Sequence, residues 1–354
     1  MLDVKRCEAF WAREPTDRPL LSSLVGAYSM VRNYPHGVSR LPDGDLAPED
    51  IEVEAFAPDY EKLFAKSLET GVDVPWAAYP LVSVPWVEAI AGCPIHNSGG
   101  NMVARPWVED YGQLRELKIE PSNRWLAKLL EFSSFLVKLS DGRFPVSNSL
   151  MRGPLDLLAA ARGSERMCLD LYDRPGEIDG ALERLTDIWI QVAREQASRI
   201  PSFQGGYSFG QIDLWGRKQG GWFQNDALAL WSPELHLTHA RACEERLSRS
   251  MDATGMHLHP HSLFAVEELV RMSGLGVIEV NYEKPYGMPL AQMMPHLRRA
   301  IESKRLSLWG EFDEVELQLL KDGLPTSGLS LQLIGETPEI VRATVQSVEK
   351  IWGS

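Results

Sequence analysis

The sequence predicts one α/β domain spanning residues 1–354, a parallel (β/α)8 TIM barrel preceded by a helix-rich amino-terminal cap over about residues 1–70. Three observations carry this prediction. Short β-branched runs alternate with amphipathic stretches, the rhythm that a parallel sheet with helical crossovers requires. The runs number eight, the strand count of that barrel. The chain, 354 residues and 39.7 kDa, has the length at which α/β barrels still form one domain with a large core.

In chain order the predicted strands cover residues 19–25, 72–76 (extending towards 81), 144–150, 206–215, 255–259, 276–281, 306–309 and 328–332. Predicted helices cover 123–139, 177–199, 233–250, 263–273, 289–303, 314–320 and 338–352. Two of them carry start signals. Ser232-Pro233-Glu234 and Thr337-Pro338-Glu339 each place a hydroxyl before a first-turn proline and an acid suited to the helix dipole.

Composition narrows the function classes. A net charge of −13 argues against nucleic acid or an anionic membrane as a general partner. Cys7, Cys93, Cys168 and Cys243 show no paired spacing, and the opening Met1-Leu2-Asp3-Val4-Lys5 begins no apolar signal segment. With no apolar run of about 18 residues, the expectation is a reducing, cytoplasmic setting.

Gly255-Met256-His257-Leu258-His259-Pro260-His261-Ser262 holds three of the eight histidines at alternate positions, where a strand runs out into a loop. Alternate residues of an extended chain share a face, so these imidazoles either converge on one pocket or form a polar strand end. Convergence would give a metal or proton-transfer site.

In a barrel the site forms at the carboxyl ends of the strands. The candidates there are Tyr28 and Arg32, then Tyr79 and Ser83, then Arg152, followed by Asp213, Trp215, Arg217, Trp222, Asn225 and Asp226. After the histidines come Asn281 and Glu283, Glu311 and Asp313, and Gln332. Tyr28, Arg32, Tyr79, Arg152, Trp215, Trp222, Asn225 and Asn281 are read as substrate-binding. Trp215 and Trp222 either wall a flat or methylated ligand beside Gly205-Gly206 and Gly220-Gly221 or pack the barrel top. Arg152 binds a carboxylate or pairs with Asp156. Asp226 accepts a substrate proton, binds a cation or caps the following turn. With Glu311 and His261 it makes up the catalytic set.

Arg152-Gly153-Pro154-Leu155-Asp156-Leu157-Leu158, Gly163-Ser164-Glu165 and Asp173-Arg174-Pro175 resemble the Gly-Pro, Gly-x-Glu and Asp-x-Pro pattern of the uroporphyrinogen decarboxylase superfamily. Asp226 followed by Leu230-Trp231-Ser232-Pro233-Glu234, His257-Leu258-His259 and Thr337-Pro338-Glu339 continue that pattern in order. The resemblance implies the same barrel. Its decarboxylases use arginines near the amino terminus and an aspartate after the second strand; here only Arg32 and Ser83 stand near those places, and Asp73 is the nearest carboxylate.

A second branch, methyltransferases serving corrinoid proteins, holds zinc with His-x-Cys and a distant cysteine. The resemblance places His257 and His259 at the first two positions, while the segment around Gln332 supplies no cysteine. Glu279, Glu283 or Glu311 is then the candidate third ligand. The resulting expectation is a zinc-dependent enzyme moving a methyl group between a small substrate and a corrinoid. No Asp-x-His-x-x-Gly motif occurs, so the corrinoid would be carried by a separate protein. Two alternatives stay open: a metal-independent decarboxylase or lyase acting on a carboxylated or tetrapyrrole-like ligand, and a non-catalytic binding barrel.

Overall fold

Six parallel strands make the frame of the computed structural model, which describes residues 2–26, 31–210 and 213–353. The strands of the chain are β1 (Leu20–Val25), β2 (Gly44–Leu46), β3 (Ile95–Ser98), β4 (Asn101–Ala104), β5 (Tyr207–Phe209), β6 (Leu214–Gly216), β7 (Gly220–Gln224), β8 (Ala253–Leu258), β9 (Val277–Tyr282), β10 (Arg305–Gly310) and β11 (Leu329–Gly335). The main sheet has the order β1-β11-β10-β9-β8-β7, every pair parallel. β2, β3 and β4 form a small antiparallel sheet, and β5 and β6 form a hairpin.

The predicted second and third strands are not regular strands. Their segments touch by single parallel bridges, Ala78 with Val146 and Arg152 with Gln224. The reason lies in Pro75, Pro80 and Pro145, which have no N–H to give to a ladder. Hydrogen bonds from Asp73 and Val74 to the Leu21 carbonyl, and from Gly153 to the Gln224 carbonyl, still hold these segments against β1 and β7. Among the described residues the regular sheet is therefore a curled arc of six parallel strands.

The predicted strand 206–215 is corrected to the β5–β6 hairpin, because Gly210 and Asp213 both take positive φ and break the extended run. The strand that joins the main sheet is β7, two residues of which are Gly220 and Gly221. At Gly220 a Cβ would sit 2.0 Å from the Phe209 ring, so this close approach admits only glycine.

Helices cover the outside. Leu290–Ser303 packs on β10, and Pro338–Trp352 packs on β11 and β1. Ser232 accepts from Leu235 N at 3.2 Å as expected of a cap, whereas the Thr337 side chain makes no cap bond. Asp313 and Glu316 cap the helix Glu314–Gly323 reciprocally, each side chain bonding the other's N–H at 2.9 Å. Residues 1–70 include β1, so the amino-terminal part builds the sheet as well as flanking it. The helix Val4–Ala12 lies across the amino-terminal end of the strands, where Trp11 donates to the Trp215 carbonyl at 2.8 Å. No helix among the described residues is long and apolar enough to cross a membrane.

Candidate metal centre

The site grows out of the register of β7, β8 and β9. Gln224 pairs with His257, and His257 pairs with Glu279, so these three side chains stand side by side on one face. The chain stays extended through His259 (φ −86°, ψ 159°), which keeps that residue on the same face. Pro260 then opens a 3-10 helix, Pro260–Ala265, and the alternation ends. His261 is consequently exposed and away from the cavity, which corrects its catalytic assignment.

His257 and Glu279 are almost fully buried, with side chains 4% and 2% exposed. His257 Nδ1 lies 2.6 Å from Glu279 Oε2, and Trp222 Nε1 donates to the same oxygen at 3.1 Å. His259 Nδ1 bonds Glu283 Oε1. A carboxylate on each Nδ1 favours the tautomer with its proton there, and in that tautomer both Nε2 lone pairs are available to a metal. Those two Nε2 atoms face one another at 3.2 Å, and Asp226 Oδ1 lies 3.3 Å from His259 Nε2. The ligand atoms of Asp226, His257 and His259 all fall within 4.8 Å of one another.

Three acceptors brought together need a cation or a proton between them. A tetrahedral centre with bonds of about 2.0–2.1 Å separates its ligands by about 3.3–3.4 Å, close to the two spacings found here. The donor set, two imidazoles and one carboxylate, suits zinc with one open position. Glu279 and Glu283, expected as ligands, instead bind the far nitrogens and orient the rings, while Asp226 is the carboxylate that could complete a metal-holding group with His257 and His259.

Without metal a proton fills the gap. Burial alone would lower the His259 pKa; the hydrogen bond and charge of Asp226, then those of Glu283, outweigh it and push it up to about 9. Burial would raise the Asp226 carboxyl, and the His259 bond with the neighbouring imidazoles holds it below its ordinary value instead. Because the folded value of His259 exceeds the unfolded one, about 6.5, the stability it contributes is complete below pH 6.5. That stability is lost as pH rises through about 9. The urea midpoint of metal-free protein is therefore expected to fall between pH 7 and 9, and this fall is expected to vanish in His259→Gln. A midpoint that rises over this window would contradict the proton's placement. Zinc displaces the same proton, so its apparent affinity rises with pH across that range.

Asp226 begins the 3-10 helix Asp226–Leu230 and is held from several sides. Gln224 Nε2 donates to Asp226 Oδ2 at 2.5 Å, and Asp156 Oδ1 accepts from Ala227 N at 2.7 Å. Burial, then the charge of Asp226, drives the Asp156 pKa upward. Asn225, expected to bind substrate, is fully engaged in the scaffold. Its Nδ2 donates to Glu244 Oε1 at 2.9 Å, and its Oδ1 accepts from Leu155 N at 3.3 Å. Glu244 Oε2 in turn meets His236 Nε2 at 2.7 Å, both side chains being at most 1% exposed.

A cavity of about 200 Å³ opens beside the cluster, walled by Trp222, Trp309, Leu24 and Leu150, with Asn281 and Gln332 adding carboxamides. Trp222 and Asn281 were expected at the site. Gln224 and Trp309 were not: Gln224 lies on the unrecognised β7, and Trp309 reads as an ordinary strand residue.

Other candidates lie elsewhere. Trp215 is buried at the amino-terminal end, its Nε1 donating to the Phe203 carbonyl at 2.9 Å, and Arg217 pairs with Glu8 there. Tyr79 is packed in the core with its carbonyl bonded by Tyr60. Arg152 pairs with the buried Glu88 at 2.9 Å, not with Asp156. Arg32 is exposed, and Glu311 follows β10 outside the cavity wall. Asp73, the carboxylate nearest the decarboxylase position, is tied to Arg18 at 2.6 and 2.8 Å. Tyr28 lies outside the described residues.

No protein-family model and no curated protein matches the sequence. Among solved structures the chain is similar to a methyltransferase from Methanosarcina mazei, with a TM-score of 0.67, 14% identity and 98% of each chain covered. At that identity the likeness is one of fold, and it extends over the whole length.

Proposed function

We propose that this chain is a zinc-dependent methyltransferase that moves a methyl group between a small substrate and a corrinoid carried by a separate protein. The observation that supports it most is the facing pair of His257 and His259 Nε2 atoms, 3.2 Å apart, with Asp226 beside them and a carboxylate on each Nδ1. The methyltransferase fold of the structural neighbour agrees with this reading. Bound zinc would act as a Lewis acid on a substrate heteroatom, making it a better nucleophile or leaving group.

The chain's own residues do the rest. Glu279 and Glu283 fix the ring orientations, Gln224 steers the Asp226 carboxylate, and Trp222 and Trp309 exclude water from the cavity. The metal-independent decarboxylase reading is not favoured. The cavity of about 200 Å³ is smaller than the usual ligand pocket, about 300–1,000 Å³, and its described walls contain no arginine or lysine to hold carboxylates.

The reading is tested by incubating zinc-loaded protein with cob(I)alamin and a panel of methylated alcohols, ethers, amines and thiols, following methylcobalamin by absorbance. Transfer is expected for at least one donor, abolished by a chelator and restored by zinc. Transfer that survives chelation, or none with any donor, would overturn it.

A further inference from the structure

We infer that the cavity beside Asp226, His257 and His259 selects a small uncharged substrate, with Asn281 as the residue that recognises its neutral polar group. The inference rests on the metal reading above and names the substrate class of the same site.

Size comes first. A cavity of about 200 Å³ lies below the usual range for ligand pockets, about 300–1,000 Å³, which limits the substrate to a small molecule. Trp222 and Trp309 form two of the walls, and both rings lie against His257, at 5.5 and 6.1 Å between centroids. Trp222 is fixed by its bond to Glu279. Two indole faces favour a planar or methyl-bearing apolar group.

Charge decides the rest. No lysine or arginine is found among the described lining residues, and residues 27–30 and 211–212 contain none in the sequence. Arg152 is occupied by Glu88. Asp226, Glu279 and Glu283 surround the two imidazoles, so a divalent ion leaves the cluster with one negative charge in excess. An anionic ligand meets that excess, and a cationic ligand sits against the metal itself. A neutral heteroatom donor avoids both penalties.

Asn281 supplies the matching contact. It lies two residues beyond Glu279 on β9, hence on the same face, and is paired in register with Trp309. Its carboxamide makes no hydrogen bond among the described residues, and it carries a donor and an acceptor without charge.

The experiment measures zinc content first, then titrates zinc-loaded protein calorimetrically with benzyl alcohol, benzoate and benzylammonium, which share a shape and differ in charge. Benzyl alcohol is expected to bind at least tenfold more tightly than either ion. Asn281→Lys is expected to reverse the order of alcohol and benzoate, and Asn281→Asp to favour benzylammonium, so a fold defect in one variant leaves the other. Either ion binding as tightly as the alcohol to the wild type, or none of the three binding, overturns the inference. An unchanged order in folded variants overturns the role of Asn281. Absence of zinc from the wild type overturns the metal reading instead, and is recorded before any ligand is added.

Discussion

Bound zinc is expected to drop from about one ion per chain to none when His257 and His259 are both replaced by alanine. The change removes two of the three converging ligand atoms and leaves Asp226 alone at the centre. A loss on the order of a thousandfold in affinity, about 4 kcal/mol, is the smallest effect consistent with that geometry. It also strands Glu279, 2% exposed, with Trp222 as its remaining side-chain partner. Elemental analysis of protein purified without a metal-affinity tag, before and after dialysis, checks the result. Equal zinc in wild type and double variant would place the metal elsewhere.

The second large effect is expected in the scaffold behind the centre. Glu244→Ala should destabilise the fold by about 3–5 kcal/mol, the cost of removing one partner from a buried polar pair. His236, 1% exposed, and Asn225 both lose the carboxylate that bonds them at 2.7 and 2.9 Å. Glu244→Gln keeps an acceptor for Asn225 and should cost about 1–2 kcal/mol. Because Asn225 precedes Asp226 and also receives Leu155 N, the alanine variant should bind zinc more weakly by about 10–100-fold as the loop loosens. Urea denaturation with an unchanged slope, paired with a zinc titration, measures both. A loss below about 1 kcal/mol would mean that the pair contributes little to holding the loop.

The centre was legible in the sequence as far as backbone periodicity reaches. His257 and His259 share a face because the strand stays extended through His259, and period-two alternation is a backbone property. The same rule failed at His261 because Pro260 starts a 3-10 turn. Which carboxylate takes which ring nitrogen depends on side-chain packing between strands. For that reason Glu279 and Glu283 were placed as ligands, and Asp226 as a proton acceptor or cation binder.

The parallel sheet was legible where apolar runs continue without proline, as in β1 and β8 to β11. It was obscured where glycine or proline carries a tertiary purpose. β7 hides behind Gly220 and Gly221, whose missing side chains make room for Phe209, Trp189 and Met251. The stretches around Pro75 and Pro145 read as strands, but the prolines remove the donors a regular ladder needs. Arg152 points to Glu88, a partner 64 residues away that local spacing cannot reveal.

X-ray absorption at the zinc edge of the zinc-loaded protein tests the central claim most directly. Two imidazole nitrogens and carboxylate oxygen are expected at about 2.0–2.1 Å, with no sulfur shell near 2.3 Å. A sulfur shell, or a spectrum without imidazole scattering, would contradict the Asp226–His257–His259 centre.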